Sequence, residues 1–97
     1  MEKFEKFERK LKTFWGFMNE PKTHFFENGG VVTEFAIPLK KNKDDEPVWL
    51  NCKCSGELAE KIGEYPKNTA VTVMGYFKNE KGKDGKDYLK FVVLLAQ

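Results

Sequence analysis

The chain has 97 residues and a formal net charge of +2, with 40% hydrophobic and 33% charged residues, one globular domain's worth rather than a disordered composition. No apolar run approaches the roughly 18–20 residues of a membrane span, and the opening MEKFEKFERK lacks the apolar stretch of a secretory signal, so the expected setting is cytoplasmic. One histidine, His24, and two cysteines, Cys52 and Cys54, cannot supply four zinc ligands or a nucleophile–base pair beyond Cys with His24, which favours a binding module without metal or cofactor over an enzyme.

The first ten residues place Phe4 and Phe7 at helix-like spacing from Leu11, readable as a helical turn or as an extension of the strand that follows. Leu11 to Met18 (LKTFWGFM) is dense in aromatics and reads as a strand with a bend at Gly16. Trp15 and Phe17 alternate with Phe14 and Met18, so one pair faces the core and the other solvent, and the sequence leaves open which. Asn19-Glu20-Pro21 breaks the run. Residues 23–39 read as a hairpin, with THFF and VVTEFAIPL joined by Glu27-Asn28-Gly29-Gly30, where an Asn-Gly turn needs positive φ at both central positions. Val31, Thr33, Phe35, Ile37 and Leu39 share one face of the outgoing arm, opposite Val32, Glu34, Ala36, Pro38 and Lys40. A solvated loop runs from Lys40 to Pro47.

Val48 to Cys54 alternates cleanly: Val48, Leu50, Cys52 and Cys54 form a core face, and Trp49, Asn51 and Lys53 lie opposite. Ser55 reads as the N-cap of a helix of roughly three turns that Pro66 ends, with Leu58, Ile62 and Tyr65 as its apolar stripe. Val71, Val73, Gly75 and Phe77 alternate with Thr72, Met74, Tyr76 and Lys78 in the next strand. A charged loop, Asn79 to Asp87, leads to a last strand, Tyr88 to Ala96, apolar enough to be covered on both faces over part of its length. A lone helix between the third and fourth strands is the order of the OB-fold, an all-β, five-stranded Greek-key barrel. Residues 1–97 therefore read as a single OB-fold domain, with 1–10 as an N-terminal extension.

Laid out in this way, the chain resembles the bacterial and phage single-stranded DNA-binding proteins. The stretches that carry the resemblance are Asn28-Gly29-Gly30 with the strand to Leu39, Trp49 opening the third strand, Gly56-Glu57-Leu58-Ala59-Glu60 with Glu64-Tyr65, and Val71-x-Val73-x-Gly75-Tyr76-Phe77. The helix segment is the most specific of these. The resemblance implies a non-enzymatic protein that coats single-stranded DNA with little sequence preference and supports replication or recombination. It departs from the family at Ser55, where a second aromatic commonly ends the third strand. The sequence given ends at Gln97 without a Gly/Pro-rich tail or acidic tip. The expectation is a minimal version of the fold, as in phages or mobile elements, without tail-mediated recruitment. Replication proteins such as a helicase or polymerase are candidate partners, a membrane is not, and an oligomer is compatible with the apolar last strand.

Binding single strands without reading sequence needs aromatic platforms for the bases and cations along the backbone. Trp49 is the first candidate platform, with Tyr76 and Trp15 behind it. Lys53, Lys40 and Lys78 are the candidate phosphate contacts, and Asn51 is a candidate partner for a base edge or a phosphate. Lys81, Lys83 and Lys86 interleave with Glu80, Asp84 and Asp87, the pattern of a solvated loop. Cys52 and Cys54 read as small buried apolar residues. The rival readings are the same barrel used as a protein-interaction module of a replication complex, or as a binder of single-stranded RNA.

Overall fold

The computed structural model describes residues 11–39, 44 and 46–97. Phe4, Phe7 and Lys40, with the readings attached to them, lie outside the described residues. Among the described residues, six strands and one helix follow in the order β1 (Lys12–Phe17), β2 (Lys22–Phe25), β3 (Val31–Leu39), β4 (Val48–Ser55), α1 (Gly56–Gly63), β5 (Ala70–Lys81) and β6 (Asp87–Ala96). They form one sheet in the order β1-β5-β6-β4-β3-β2, antiparallel throughout except for the β4–β6 pair.

The expectation of a five-stranded Greek-key barrel is corrected in strand number and closure, while the OB-like arrangement stands. The ladder has six strands and is open, because its two edge strands, β1 and β2, are consecutive in the chain and do not pair with each other. The break between them is chemical: Pro21 has no N–H to give a ladder, and Asn19 turns its groups onto β3 instead. Its N–H donates to the Ala36 carbonyl at 2.9 Å, and its Oδ1 accepts from the Ala36 N–H at 2.7 Å. Beside this, β1 abuts β3 directly: a methyl on Gly16 would stand 2.5 Å from Ile37 Cγ2 and 3.8 Å from the Pro38 carbonyl oxygen. The sheet thus curls until its ends meet, with a seam of side-chain and linker contacts where a ladder would otherwise close it.

Both hairpins use the same turn chemistry. In the β2–β3 turn the Gly29 N–H donates to the Phe26 carbonyl and the Phe26 N–H to that of Gly30; in the β5–β6 turn Gly85 donates to Gly82, and Gly82 to Lys86. Gly29 (φ 89°) and Gly85 (φ 80°) take the left-handed position, and the side chains of Asn28 and Asp84 each accept the N–H two residues on. Positive φ is thus confined to the glycine in the Asn-Gly pair; Asn28 does not share it. In addition, β5 extends to Lys81, so Asn79, Glu80 and Lys81 are strand residues rather than loop.

The helix is shorter than its three-turn expectation. It ends at Gly63, and Ser55 holds the N-cap position in extended geometry without a side-chain bond to the first turn. Packing fixes it instead. Ala59 and Ile62 are fully buried, Leu58 and Tyr65 are partly so, and the helix covers one end of the core. Below it, fully buried Thr33 donates its hydroxyl to the Ala59 carbonyl at 2.6 Å. That uses the one Thr33 proton, so in the 2.8 Å contact between the Thr23 and Thr33 hydroxyls Thr23 is the donor.

The core takes Met18, Phe35, Ile37, Leu50, Cys52, Cys54, Val71, Val73, Phe91 and Val93. Phe91 meets Phe14 and Phe77 edge-to-face, each at 5.1 Å between centroids, contributing about 0.5–1.5 kcal/mol per pair beyond area burial. Alternation along β3, β4 and β5 follows the sequence reading, except that Ala36, on the opposite face of β3, is also buried and that Val48, at the start of β4, and Phe77 of β5 are exposed. The last strand is less covered than its composition suggests: Leu89, Leu94 and Leu95 stay exposed.

Candidate functional site

Strand alternation puts one set of residues from five strands on the outside of the curled sheet. Across β3 and β4 the register sets Pro38 opposite Trp49, Ala36 opposite Asn51, and Glu34 opposite Lys53. Across β5 and β6 it sets Tyr76 opposite Val92, and Lys78 opposite Lys90; Lys53 of β4 stands beside Val92 of β6. Trp49, Asn51, Lys53, Tyr76 and Lys78 therefore lie on one continuous outer face. Trp49 is 51% exposed and Asn51 is exposed, while Lys53 and Tyr76 are half-buried. Lys78 is exposed and makes no ion pair among the described residues.

The structure settles which face of β1 is exposed. Met18 is fully buried and Phe14 packs on the core, so Trp15 (61% exposed) and Phe17 point outward, edge-to-face at 5.3 Å. In the hydrogen-bonded ladder Trp15 is three strands from Trp49, but the seam shortens the path. Gly16, between the two aromatics, abuts the Pro38 carbonyl, and Pro38 is the register partner of Trp49. At the other end of β2, Phe25 and Phe26 are both exposed. Phe25 shares the side of Thr23, toward the helix, so alternation separates it from the outer face that carries Lys22 and His24.

The electrostatics of the outer face are mixed. The Lys53 ammonium donates to Glu80 Oε2 at 3.0 Å, reaching over β6 to do so. The Lys90 ammonium donates to Glu34 Oε2 at 3.3 Å, and His24 Nε2 lies 3.6 Å from the other oxygen of that carboxylate. A shallow depression lies between these groups, lined in part by Asn19, Lys22, Glu34, Asn51 and Lys90. At the edge of the face, the Tyr88 hydroxyl donates to Asp84 Oδ2 at 2.5 Å. That bond holds the Asp84 carboxyl below its ordinary pKa and raises the Tyr88 phenol above its own.

Sequence reasoning missed Glu34, Glu80 and Lys90 as members of this face. Alternation already placed Glu34 beside Pro38, and continuing the β5 pattern beyond Lys78 would have added Glu80. Lys90 needed the β5–β6 register, which the sequence does not supply. Turned inward, Cys52 and Cys54 are buried thiols whose pKa values desolvation pushes up to about 12 and about 11, so neither is a nucleophile near neutral pH. Among the described residues no group of three or more His, Cys, Asp or Glu is placed to hold a metal ion, and no helix is long and apolar enough to cross a membrane.

Among the described residues, a strongly curled, mostly β sheet of six strands with one helix under one end, carrying aromatic, amide and cationic side chains on its outside, is an OB-like architecture. Solved structures bear this out. Two crystal structures of the single-stranded DNA-binding protein from Thermus aquaticus, one wild-type and one a deletion mutant, match with a TM-score of 0.76 at 17% sequence identity. Each match covers 91% of this chain and 40% or 39% of the other, so the chain spans about two fifths of the length of those proteins. No family model and no curated protein matches the sequence.

Proposed function

We propose that the protein binds single-stranded DNA with little sequence preference, in the service of replication or recombination, and is of the kind carried by phages or mobile elements. The observation that carries the reading is the half-exposed Trp49 on the outer face of a sheet that superposes on single-stranded DNA-binding proteins. A core would bury such a ring, and a stacking platform needs one side of it free. Trp49 stacks a base, with Tyr76 and Trp15 as further platforms. Asn51, at the register position beside Pro38 and Trp49, hydrogen-bonds a base edge or a phosphate. Lys53, Lys78 and Lys40 neutralise phosphates, and no step of this requires catalysis.

Titration with oligo-dT while following tryptophan emission tests the reading. Quenching that weakens with salt is expected; no quenching and no retarded complex at low salt would overturn it. One observation favours a second use of the same domain. Trp15 and Phe17 form an exposed aromatic pair on an edge strand, a surface suited to docking a replication protein such as a helicase or polymerase, or another copy of the chain.

A further inference from the structure

A face that only neutralises phosphates has no use for carboxylates, yet two stand on this one, Glu34 and Glu80. Glu34 lies opposite Lys53 in the β3–β4 register and opposite Lys22 in the β2–β3 register, but its carboxylate holds Lys90 of β6 and His24 of β2. Glu80 of β5 holds Lys53 of β4 from across β6. Of the four described lysines on this face, Lys53 and Lys90 are thereby neutralised by acids from other strands, while Lys22 and Lys78 make no ion pair among the described residues. Both held lysines are half-buried, so their stems are fixed along the sheet and their ammonium groups have little freedom to leave. Bracing the sheet is a weak reason for these pairs, since partly exposed ion pairs add little to stability.

A carboxylate offers an ammonium group what a phosphate offers it: paired oxygen acceptors sharing a negative charge. We infer that Glu34 and Glu80 are resident counter-anions of the DNA site, occupying in the free protein the ammonium groups that phosphates take in the complex. The inference rests on the single-stranded DNA reading above and concerns how that site is regulated. Binding is then an exchange. A phosphate displaces Glu80 from Lys53, or Glu34 from Lys90, and the freed carboxylate collects a solution cation as the phosphate gives one up. Each exchanged lysine adds almost nothing to net counterion release, whereas a lysine without a resident acid adds about 0.7 to the log–log salt slope. Glu34 and Glu80 therefore hold affinity down and keep the complex easy to dissolve.

The test is the affinity for a fluorescein-labelled oligo-dT of wild type, Glu80→Gln, Glu34→Gln and Glu57→Gln at about 50 and about 200 mM salt. Glu57 lies exposed on α1 and changes net charge equally without touching the face. The exchange predicts tighter binding by Glu80→Gln and by Glu34→Gln, with a gain about 2.6-fold larger at the lower salt and no such gain for Glu57→Gln. In a Lys53→Met background the Glu80→Gln gain should shrink, since there is no ammonium group left to release. Unchanged or weaker binding by both carboxamide variants, or an equal gain from Glu57→Gln, overturns the exchange while leaving the DNA reading intact. Failure of the wild type itself to bind oligo-dT overturns both.

Discussion

Replacing Trp49 with leucine separates stacking from folding, because leucine keeps an apolar cover over β3 but has no aromatic face. The indole is 51% exposed, and a tryptophan side chain presents roughly 200 Å², so about 100 Å² is free to be covered by a base. At about 25 cal/mol per Å² that area corresponds to about 2.5 kcal/mol if covering is complete, inside the roughly 1–3 kcal/mol found for base–aromatic stacking. The ceiling on the effect is therefore about a 70-fold rise in Kd, and about fivefold is the least that stacking would produce. Fluorescence anisotropy of labelled oligo-dT measures it, alongside a thermal melt to confirm that the variant is folded. Tryptophan emission gives an independent reading: Trp15→Phe, which leaves Trp49 as the sole tryptophan, should keep most of the quenching. A folded Trp49→Leu protein that binds within twofold of wild type would refute the reasoning, as would quenching that survives in it and disappears in Trp15→Phe.

Other expectations test the fold beneath the site. Thr33→Val removes the hydroxyl that donates to Ala59 and accepts from Thr23, and should cost about 1–3 kcal/mol, read as a lower urea midpoint at unchanged m-value. Gly75→Ala places a methyl against the backbone of Val92 at the β-bulge between Met74 and Gly75, where no side chain can swing aside; a loss of about 3 kcal/mol or failure to fold is expected, and a near-neutral melt would show the pairing is looser than described. The buried thiols should react with a disulfide reagent at pH 8 only as fast as the protein opens, and rapid labelling of native protein would contradict their placement. Their folded pKa values, about 12 and about 11, lie above the unfolded 9.0, so the native state retains protons that the unfolded chain releases. Their contribution to stability is complete below pH 9 and is lost as pH rises toward 11 and 12, a decline that Cys52→Val should reduce.

The proposed exchange and the proposed stacking divide the outer face into two kinds of work. Trp49 and Asn51 lie where β3 offers Pro38 and Ala36, small or rigid neighbours that leave room above them. Glu34 and Lys53 lie further along the same two strands and pair there with Lys90 of β6 and Glu80 of β5, while Lys22 and Lys78 nearby make no ion pair among the described residues. A single strand crossing this face would therefore find its base platform free and part of its phosphate track occupied.

Much of this was legible from residue order. Alternation of two residues assigned the inward face of β3 and β4 and set Trp49, Asn51 and Lys53 outside, because strand geometry leaves no other choice once one face is apolar. The Asn28-Gly29 turn was marked by its local chemistry, whereas residues 79–87 read only as a charged loop. Length of the helix was misjudged because its stop was assigned to Pro66, whereas the helix ends at Gly63 with Glu64 as its C-cap.

The sequence alone determined the order of the elements, the faces of β3 and β4 and the candidate aromatics, all of which depend on neighbours a few residues apart. Tertiary structure decided what depends on register and curvature. It opened the ladder between β1 and β2, with Asn19 bonded to β3, and turned Trp15 and Phe17 outward because Met18 and Phe14 fill the core. It also joined Lys53 to Glu80 over 27 positions of chain and Lys90 to Glu34 over 56. Charge pairs of that kind carry no local periodicity. They exist because four strands far apart in sequence lie side by side, and only the folded sheet brings them there.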